Sequence, residues 1–273
     1  RDIFWHDAIM AEPAICDPVW MDAEDPLFVL YPRAVNEEPV GVVHSTAGYM
    51  VYAATTFKYL FDIKNDDVCF GTADLSNITG HTYLVYAPLL SGSTSVIFEG
   101  ALDYPLPDRL WAVVEAEQVT ILHTDPMALG DLKKEGELWP QRHNLSSLRL
   151  LGTMGGPISP DVWLWYYNVI GKKQCPVIDS WCQSAAGGIL IGAFPGATDL
   201  KPGSATVPFF GIVPRVLDRN GKKCAVNQEG FLVIEKPWPG MLRSLYGRPE
   251  LFGEKYFSKF PNVYFTGDIA YQV

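Results

Sequence analysis

Five short segments carry residue types able to hold an anionic or nucleotide-like ligand: PRAVNEEPVG (32–41), ADLSNITGH (73–81), GTMGGPI (152–158), DSWCQSAAGG (179–188) and YFTGD (264–268). Each follows a short apolar run and combines glycine with Ser, Thr, Asn or Asp. Glycine lets backbone N–H groups approach a ligand, and short polar side chains supply hydroxyl or carboxylate contacts. One glycine after a strand marks a plain turn more often than a phosphate cradle. The shared position of all five segments, just past an apolar run, is the stronger signal, because ligands of open α/β sheets bind beyond the carboxyl ends of the strands.

The elements that must position these segments are legible as periodicity. LFVLY (27–31), VCFGT (68–72), TSVIFEG (94–100), VTILHT (119–124), LRLLGT (148–153) and PVIDSW (176–181) are short runs rich in Val, Ile, Leu and Phe, which reads as fully buried strands. Between them, helical spacing with polar or proline starts runs over 45–60, 79–90, 107–117, 125–135 and 159–170. The alternation predicts an α/β fold with a mostly parallel sheet and helical crossovers. After Pro195 glycine and proline become frequent and hairpin patterns appear, with Asn220-Gly221 as a turn signal. The expected organisation is an α/β part over 1–195 and a smaller, incomplete β-rich subdomain over 196–273.

Composition narrows the partners. The 273 residues are 48% hydrophobic and carry a formal charge of −10, with no run of Lys or Arg. That balance argues against nucleic acid or an anionic membrane and for a small-molecule ligand. Cys16, Cys69, Cys175, Cys182 and Cys224 are odd in number and form no C-x-x-C pair, so neither a disulfide framework nor a zinc site is expected. This fits the cytoplasm or another reducing compartment. The abrupt start at Arg1 and stop at Val273 suggest a piece of a longer protein.

Taken in order, the five segments resemble those of the AMP-forming acetyl-CoA synthetases of the adenylate-forming superfamily. The resemblance extends over essentially the whole chain, through MDAEDPLFVLY, GVVHSTAGYMVYAATTFKYLFD, SLRLLGTMGGPISPDVWLWYYNVIG and PGATDLKPGSATVPFFGIVP. It implies activation of a carboxylic acid by ATP to an acyl-adenylate, then transfer to the thiol of coenzyme A. ATP, Mg²⁺ and coenzyme A are the cofactors so implied; a short carboxylic acid and an adenine nucleotide are the ligands.

The resemblance also assigns residues. Gly155, Gly156 and Pro157 match an adenine loop of the form Gly-Glu-Pro except at Gly156. Asp179, Ser180, Trp181, Cys182 and Gln183 would flank the adenine, Ser184 would place a hydroxyl near the α-phosphate, and Asp268 would accept from both ribose hydroxyls. Ile78, Thr79, Met154 and Cys182 would line the acyl pocket, with Cys182 in place of a tryptophan and so with room for an acid longer than acetate. A reactive Cys182 is the sharper alternative to an inert buried thiol, which the absence of a nearby His or Lys in sequence favours. His44 and His123 have no partner at a catalytic spacing and read as hydrogen-bonded structural histidines.

Two departures bear on activity. The family's phosphate loop, TSGSTGKPKG, aligns with Pro32, Arg33, Ala34, Val35, Asn36, Glu37, Glu38, Pro39, Val40 and Gly41, of which only Pro39 and Gly41 are kept. An anion about 4 Å from a phosphate costs ~4 kcal/mol at an effective dielectric of about 20. Ala185 stands where a glutamate is expected to hold Mg²⁺, and a methyl group cannot ligate a hard cation, so no metal ligand is expected there. The sequence therefore predicts weak triphosphate binding and impaired or absent adenylation, with AMP still compatible with Ser184 and Asp268. The family's N-terminal region and lysine-bearing C-terminal domain have no counterpart in this sequence. The alternative reading is a non-catalytic homologue acting as an interaction or regulatory module, pairing with an intact synthetase.

Overall fold

A computed structural model describes residues 2–32 and 39–273. Its centre is a six-stranded sheet in the order β4-β3-β5-β6-β7-β8, built from β3 (Val68–Gly71), β4 (Thr94–Val96), β5 (Ile121–Thr124), β6 (Leu150–Thr153), β7 (Val177–Cys182) and β8 (Ile189–Gly192). All neighbours are parallel except β7 and β8, which are antiparallel.

Successive strand residues point to opposite faces, and this alternation divides the core in two. Cys69, Ile121, Leu150 and Ile178 join one apolar cluster, while their chain neighbours Phe70, Leu122, Leu151 and Val177 join another. The first face is covered by helix Thr46–Leu60, through Tyr52, Ala53, Phe57 and Leu60, and by the helical run that begins at Ile78–Gly80. The second is covered by helices Arg109–Ala116, Pro126–Glu135 and Pro160–Trp165, whose Trp111, Leu129 and Trp163 are all buried. Fully burying each large apolar side chain stabilises the fold by roughly 1.5–3 kcal/mol. The α/β class with a mostly parallel sheet is thus what the sequence predicts.

Three differences from the sequence reading have simple causes. The first apolar run forms β1 (Pro26–Leu30), which lies outside the parallel sheet and pairs antiparallel with β2 (Gly41–Ser45). The run over 94–100 is strand only at Thr94–Val96, and both β1 and β4 are partly exposed, as edge strands are. The segment 196–273 forms a second antiparallel sheet from β9 (Pro214–Leu217), β10 (Gly230–Ile234) and β12 (Tyr264–Ala270), and also sends β11 (Ser244–Tyr246) back to pair with β2. The Asn220-Gly221 turn follows β9: Gly221 takes φ +76° and its N–H donates to the Asp218 carbonyl.

The amino ends of the parallel strands are tied together. Arg149, ahead of β6, pairs with the buried Asp67, ahead of β3, and Thr120 Oγ1 donates to the same carboxylate at 2.7 Å. Mid-chain widening to π-helical bonding occurs at His81–Tyr86, where Ala87 N donates to Thr82 O, and at Tyr166–Ile170. Such widening recurs at functional sites, and the first instance begins two residues after Thr79. No helix among the described residues is long and apolar enough to cross a membrane.

Candidate functional site

β5 and β6 end at Thr124 and Thr153, Asp179 stands in β7 where its parallel pairing with β6 ends, and four of the five ligand-type segments converge around these residues. Thr153 and Asp179 are register partners, and Thr153 Oγ1 donates to Asp179 Oδ1 at 3.0 Å. Burial holds the Asp179 carboxyl up at about 6, although the Thr153 hydroxyl works in the opposite direction. Ser180 Oγ donates to the Thr153 carbonyl at 2.9 Å, so the two strands are pinned where their parallel pairing ends.

Beyond β5 and β6 lies a cleft of about 390 Å³ lined by Asp125, Lys134, Gly155, Gly156, Pro157 and Val162 among others. Asp125 accepts from the N–H groups of Met127 and Ala128, so its carboxylate starts helix Pro126–Glu135 at the wall of the cleft. Gly155 takes φ +105°, and a β-carbon there would lie 3.0 Å from Asp125 Oδ2, whereas Gly156 faces open space. Gly155 is required by the turn, and Gly156 is exposed on it.

The four residues expected to form an acyl pocket belong together. Ile78, Thr79 and Met154 are buried, and Thr79 Oγ1 donates to Met154 Sδ at 3.5 Å. Cys182 packs against the same cluster, and burial pushes its thiol up to about 12, opposed by a hydrogen bond with the Thr79 side chain. That is the environment of an inert thiol rather than a nucleophile.

Strand alternation sends Trp181 and Gln183 the other way, toward β12. Trp181 Nε1 and Gln183 Nε2 each lie 2.9 Å from Asp268 Oδ2. Gln183 Nε2 also donates to the Thr266 carbonyl at 2.8 Å, and its Oε1 accepts from Tyr264 OH at 3.1 Å. Gly267 takes φ +83°, which turns the chain so that Asp268 reaches back to the strand end of the central sheet. Asp268 Oδ1 accepts no hydrogen bond among the described residues.

The turn after Gln183 is held through its carbonyls. Ser184 O accepts from His44 Nε2 at 2.8 Å, Ala185 O from Leu242 N at 2.9 Å, Ala186 O from Trp238 Nε1 at 2.8 Å and Gly187 O from Thr82 Oγ1 at 3.1 Å. A carbonyl only accepts, so His44 carries its proton on Nε2, and burial holds that imidazole down at about 4. Ser184 keeps a free hydroxyl among the described residues. Ala185 is only 5% exposed, so its methyl group lies within the core. His123 departs from the sequence reading: it is buried with neither ring nitrogen hydrogen-bonded, enclosed by Phe61 and Tyr83, and its imidazole is held down at about 4.

Of the phosphate-loop segment, Pro32 follows β1, Pro39 and Val40 precede β2 and Gly41 begins it, while Arg33, Ala34, Val35, Asn36, Glu37 and Glu38 lie outside the described residues. The residues that sequence reasoning did not single out are Tyr264, Thr266, Thr82 and Trp238. No local signal marks them, since each acts across at least 80 residues or through a backbone carbonyl.

Comparison with known proteins gives the geometry its relatives. Residues 5–246 match the family of AMP-binding enzymes. The chain is 52% identical over 270 residues to an acetyl-coenzyme A synthetase of Drosophila melanogaster, covering 99% of this chain and 40% of that protein. It is 48% identical over 269 residues to the acetyl-coenzyme A synthetase of Chlorobaculum tepidum, covering 98% of this chain and 41% of that protein. Against the acetyl-coenzyme A synthetase of Aeromonas hydrophila the identity is 49% over 270 residues, 99% of this chain and 42% of the relative. The chain thus spans about two fifths of the length of these relatives.

Proposed function

The chain belongs to the AMP-binding enzyme family, and we propose that it forms the nucleotide- and acid-binding part of an acetyl-CoA-synthetase-type ligase. In this reading Asp268 holds the ribose, the cleft at Gly155-Gly156-Pro157 receives the adenine, and Thr79, Met154 and Cys182 face a short carboxylic acid. The observation that supports it most is the convergence of Trp181, Gln183 and Asp268 beside the Thr79–Met154 contact. One strand end then serves two ligands, because Trp181 and Gln183 face β12 while Cys182 faces the acyl side.

Adenylation by this chain is proposed to be weak. The sequence over 32–40 offers neither lysine of the resembled loop, and the buried Ala185 methyl group gives Mg²⁺ no ligand. In the resembled reaction Mg²⁺ would neutralise phosphate charge. What this chain's own residues do is bind and orient: Asp268 fixes the ribose, Ser184 offers its hydroxyl toward the phosphate, and the clamped carbonyls of Ser184 to Gly187 keep that hydroxyl in place.

Calorimetric titration with AMP, alongside ATP–pyrophosphate exchange with Mg²⁺ and acetate, propionate or butyrate, tests both parts. AMP binding with little exchange supports the reading. Absence of AMP binding sinks it, and vigorous exchange removes the impairment. A variant with 32–40 rebuilt as the resembled loop and Ala185→Glu introduced should raise exchange if those positions are the limiting defect.

A further inference from the structure

We infer that Tyr264 is a positioning residue for the ribose carboxylate, acting through Gln183. The inference rests on the nucleotide reading above and adds to it a residue and a role. Gln183 Nε2 faces two groups that can only accept, the Thr266 carbonyl and the Asp268 carboxylate, so the amide orientation is fixed with its NH₂ toward β12. Its Oε1 then accepts from Tyr264 OH at 3.1 Å, and a flipped amide would turn that oxygen toward the two acceptors on β12. Tyr264 is 2% exposed and is held by Tyr256, stacked at 5.2 Å, and by Trp238 edge-on at 5.2 Å.

The chain of donors ends on one oxygen. Trp181 Nε1 has a single hydrogen and Gln183 Nε2 has two; one from each goes to Asp268 Oδ2. Thr266 Oγ1 fixes the same turn by accepting from Asp268 N at 3.0 Å while donating to the Leu232 carbonyl at 2.8 Å. The carboxylate is therefore oriented before any ligand arrives, with Oδ2 occupied and Oδ1 presented. A diol that bridges to such a carboxylate meets an acceptor already in place, which lowers the cost of ordering it. In this relay Trp181 and Gln183 donate to the carboxylate, and Tyr264 reaches it only through Gln183.

The test compares AMP with 2′,3′-dideoxy-AMP, which lacks the hydroxyls that Asp268 would hold, on the unaltered chain and on Tyr264→Phe. Phenylalanine keeps the ring contacts with Tyr256 and Trp238 and removes only the hydroxyl. AMP affinity is expected to fall about 5–10-fold, the loss of one charge-linked hydrogen-bond network member, while dideoxy-AMP affinity stays within about twofold. Equal weakening of both ligands, or of neither, overturns the positioning role. Side-chain NMR gives a second readout that needs no nucleotide. Tyr264→Phe should shift the Gln183 amide resonances, and Asp268→Ala should shift both those and the Trp181 indole N–H. Gln183 amide resonances unmoved by Tyr264→Phe overturn the relay itself; absence of AMP binding by the unaltered chain overturns the nucleotide reading, separately from that signature.

Discussion

His44 Nε2 lies 2.8 Å from the carbonyl oxygen of Ser184, joining β2 to a turn 140 residues later in the chain. The imidazole is fully buried and packs at 5.2 Å from the Phe28 ring and 5.4 Å from Tyr49. Its one donated hydrogen bond therefore fixes the turn that carries the Ser184 hydroxyl. Replacing His44 with Phe keeps the aromatic packing and leaves the Ser184 carbonyl without its donor. Urea denaturation should register a loss of about 1–3 kcal/mol, the usual cost of an unpaired buried acceptor. A loss below about 0.5 kcal/mol would mean that water replaces the imidazole.

Stability should fall as the solution is acidified from pH 6.5 to pH 4. His44 and His123 are both held down at about 4 by burial, so between those values the unfolded chain takes up protons that the folded chain refuses. Their contribution is fully present above the unfolded value and is lost as pH falls. Asp179 opposes them: raised to about 6, it favours the folded state as pH drops through that value. His81, also lowered by burial, adds in the same direction, and the two fully buried histidines against Asp179 leave a net loss on the order of 3 kcal/mol. His123→Leu, which removes an imidazole with no hydrogen bond to lose, should flatten the profile. Urea midpoints across this range that stay level, or rise with acid, would contradict the burial of these rings.

The sheet was legible because its strands are short apolar runs separated by helical spacing, as at VTILHT and LRLLGT. The parallel placement expected of LFVLY fails because periodicity reports burial and not pairing, and its partner is β2, which begins at Gly41. The membership of Thr79, Met154 and Cys182 in one cluster was accessible only through the resemblance, since 103 residues separate Thr79 from Cys182. Tyr264 opens the YFTGD segment, yet nothing in YFTGD says that its hydroxyl serves a glutamine 81 residues earlier. Hydrogen bonds to carbonyls, such as those of His44 and Trp238, leave no trace in residue type at the accepting end.

Gly187 and Gly156 should respond unequally to substitution. Gly187 takes φ +73°, and a β-carbon there would lie 2.4 Å from the Gly240 carbonyl oxygen. Left-handed backbone costs a non-glycine residue roughly 1–2 kcal/mol, and the clash forces backbone to move as well. Gly187→Ala is expected to lose roughly 3–5 kcal/mol or to fail to fold. Gly156 has nothing within 4 Å of its would-be β-carbon, so Gly156→Glu should change stability by less than about 0.5 kcal/mol. Thermal midpoints of the two variants that moved together would refute this distinction between the two glycines.

Ala185→Glu tests whether a metal-binding carboxylate can be introduced at this position without penalty. The methyl group is 5% exposed, between a carbonyl held by Leu242 N and a neighbouring residue whose carbonyl is held by Trp238. A glutamate confined there must bury its charge or take up a proton. Its folded pKa would then be raised, so the penalty is present above that raised value and disappears as pH falls below the unfolded value of about 4.3. At pH 7 the expected loss is about 2–4 kcal/mol in urea denaturation, shrinking at pH 4.5. If the side chain instead bends into the nucleotide cleft, the variant is as stable as the parent at pH 7, and millimolar Mg²⁺ with AMP raises its midpoint further. The first outcome means that Ala185 belongs to the core and that restoring a metal ligand requires repacking around Leu242 and Trp238. The second means that a single substitution suffices, and that the surrounding clamp already has the shape of a metal-bearing turn.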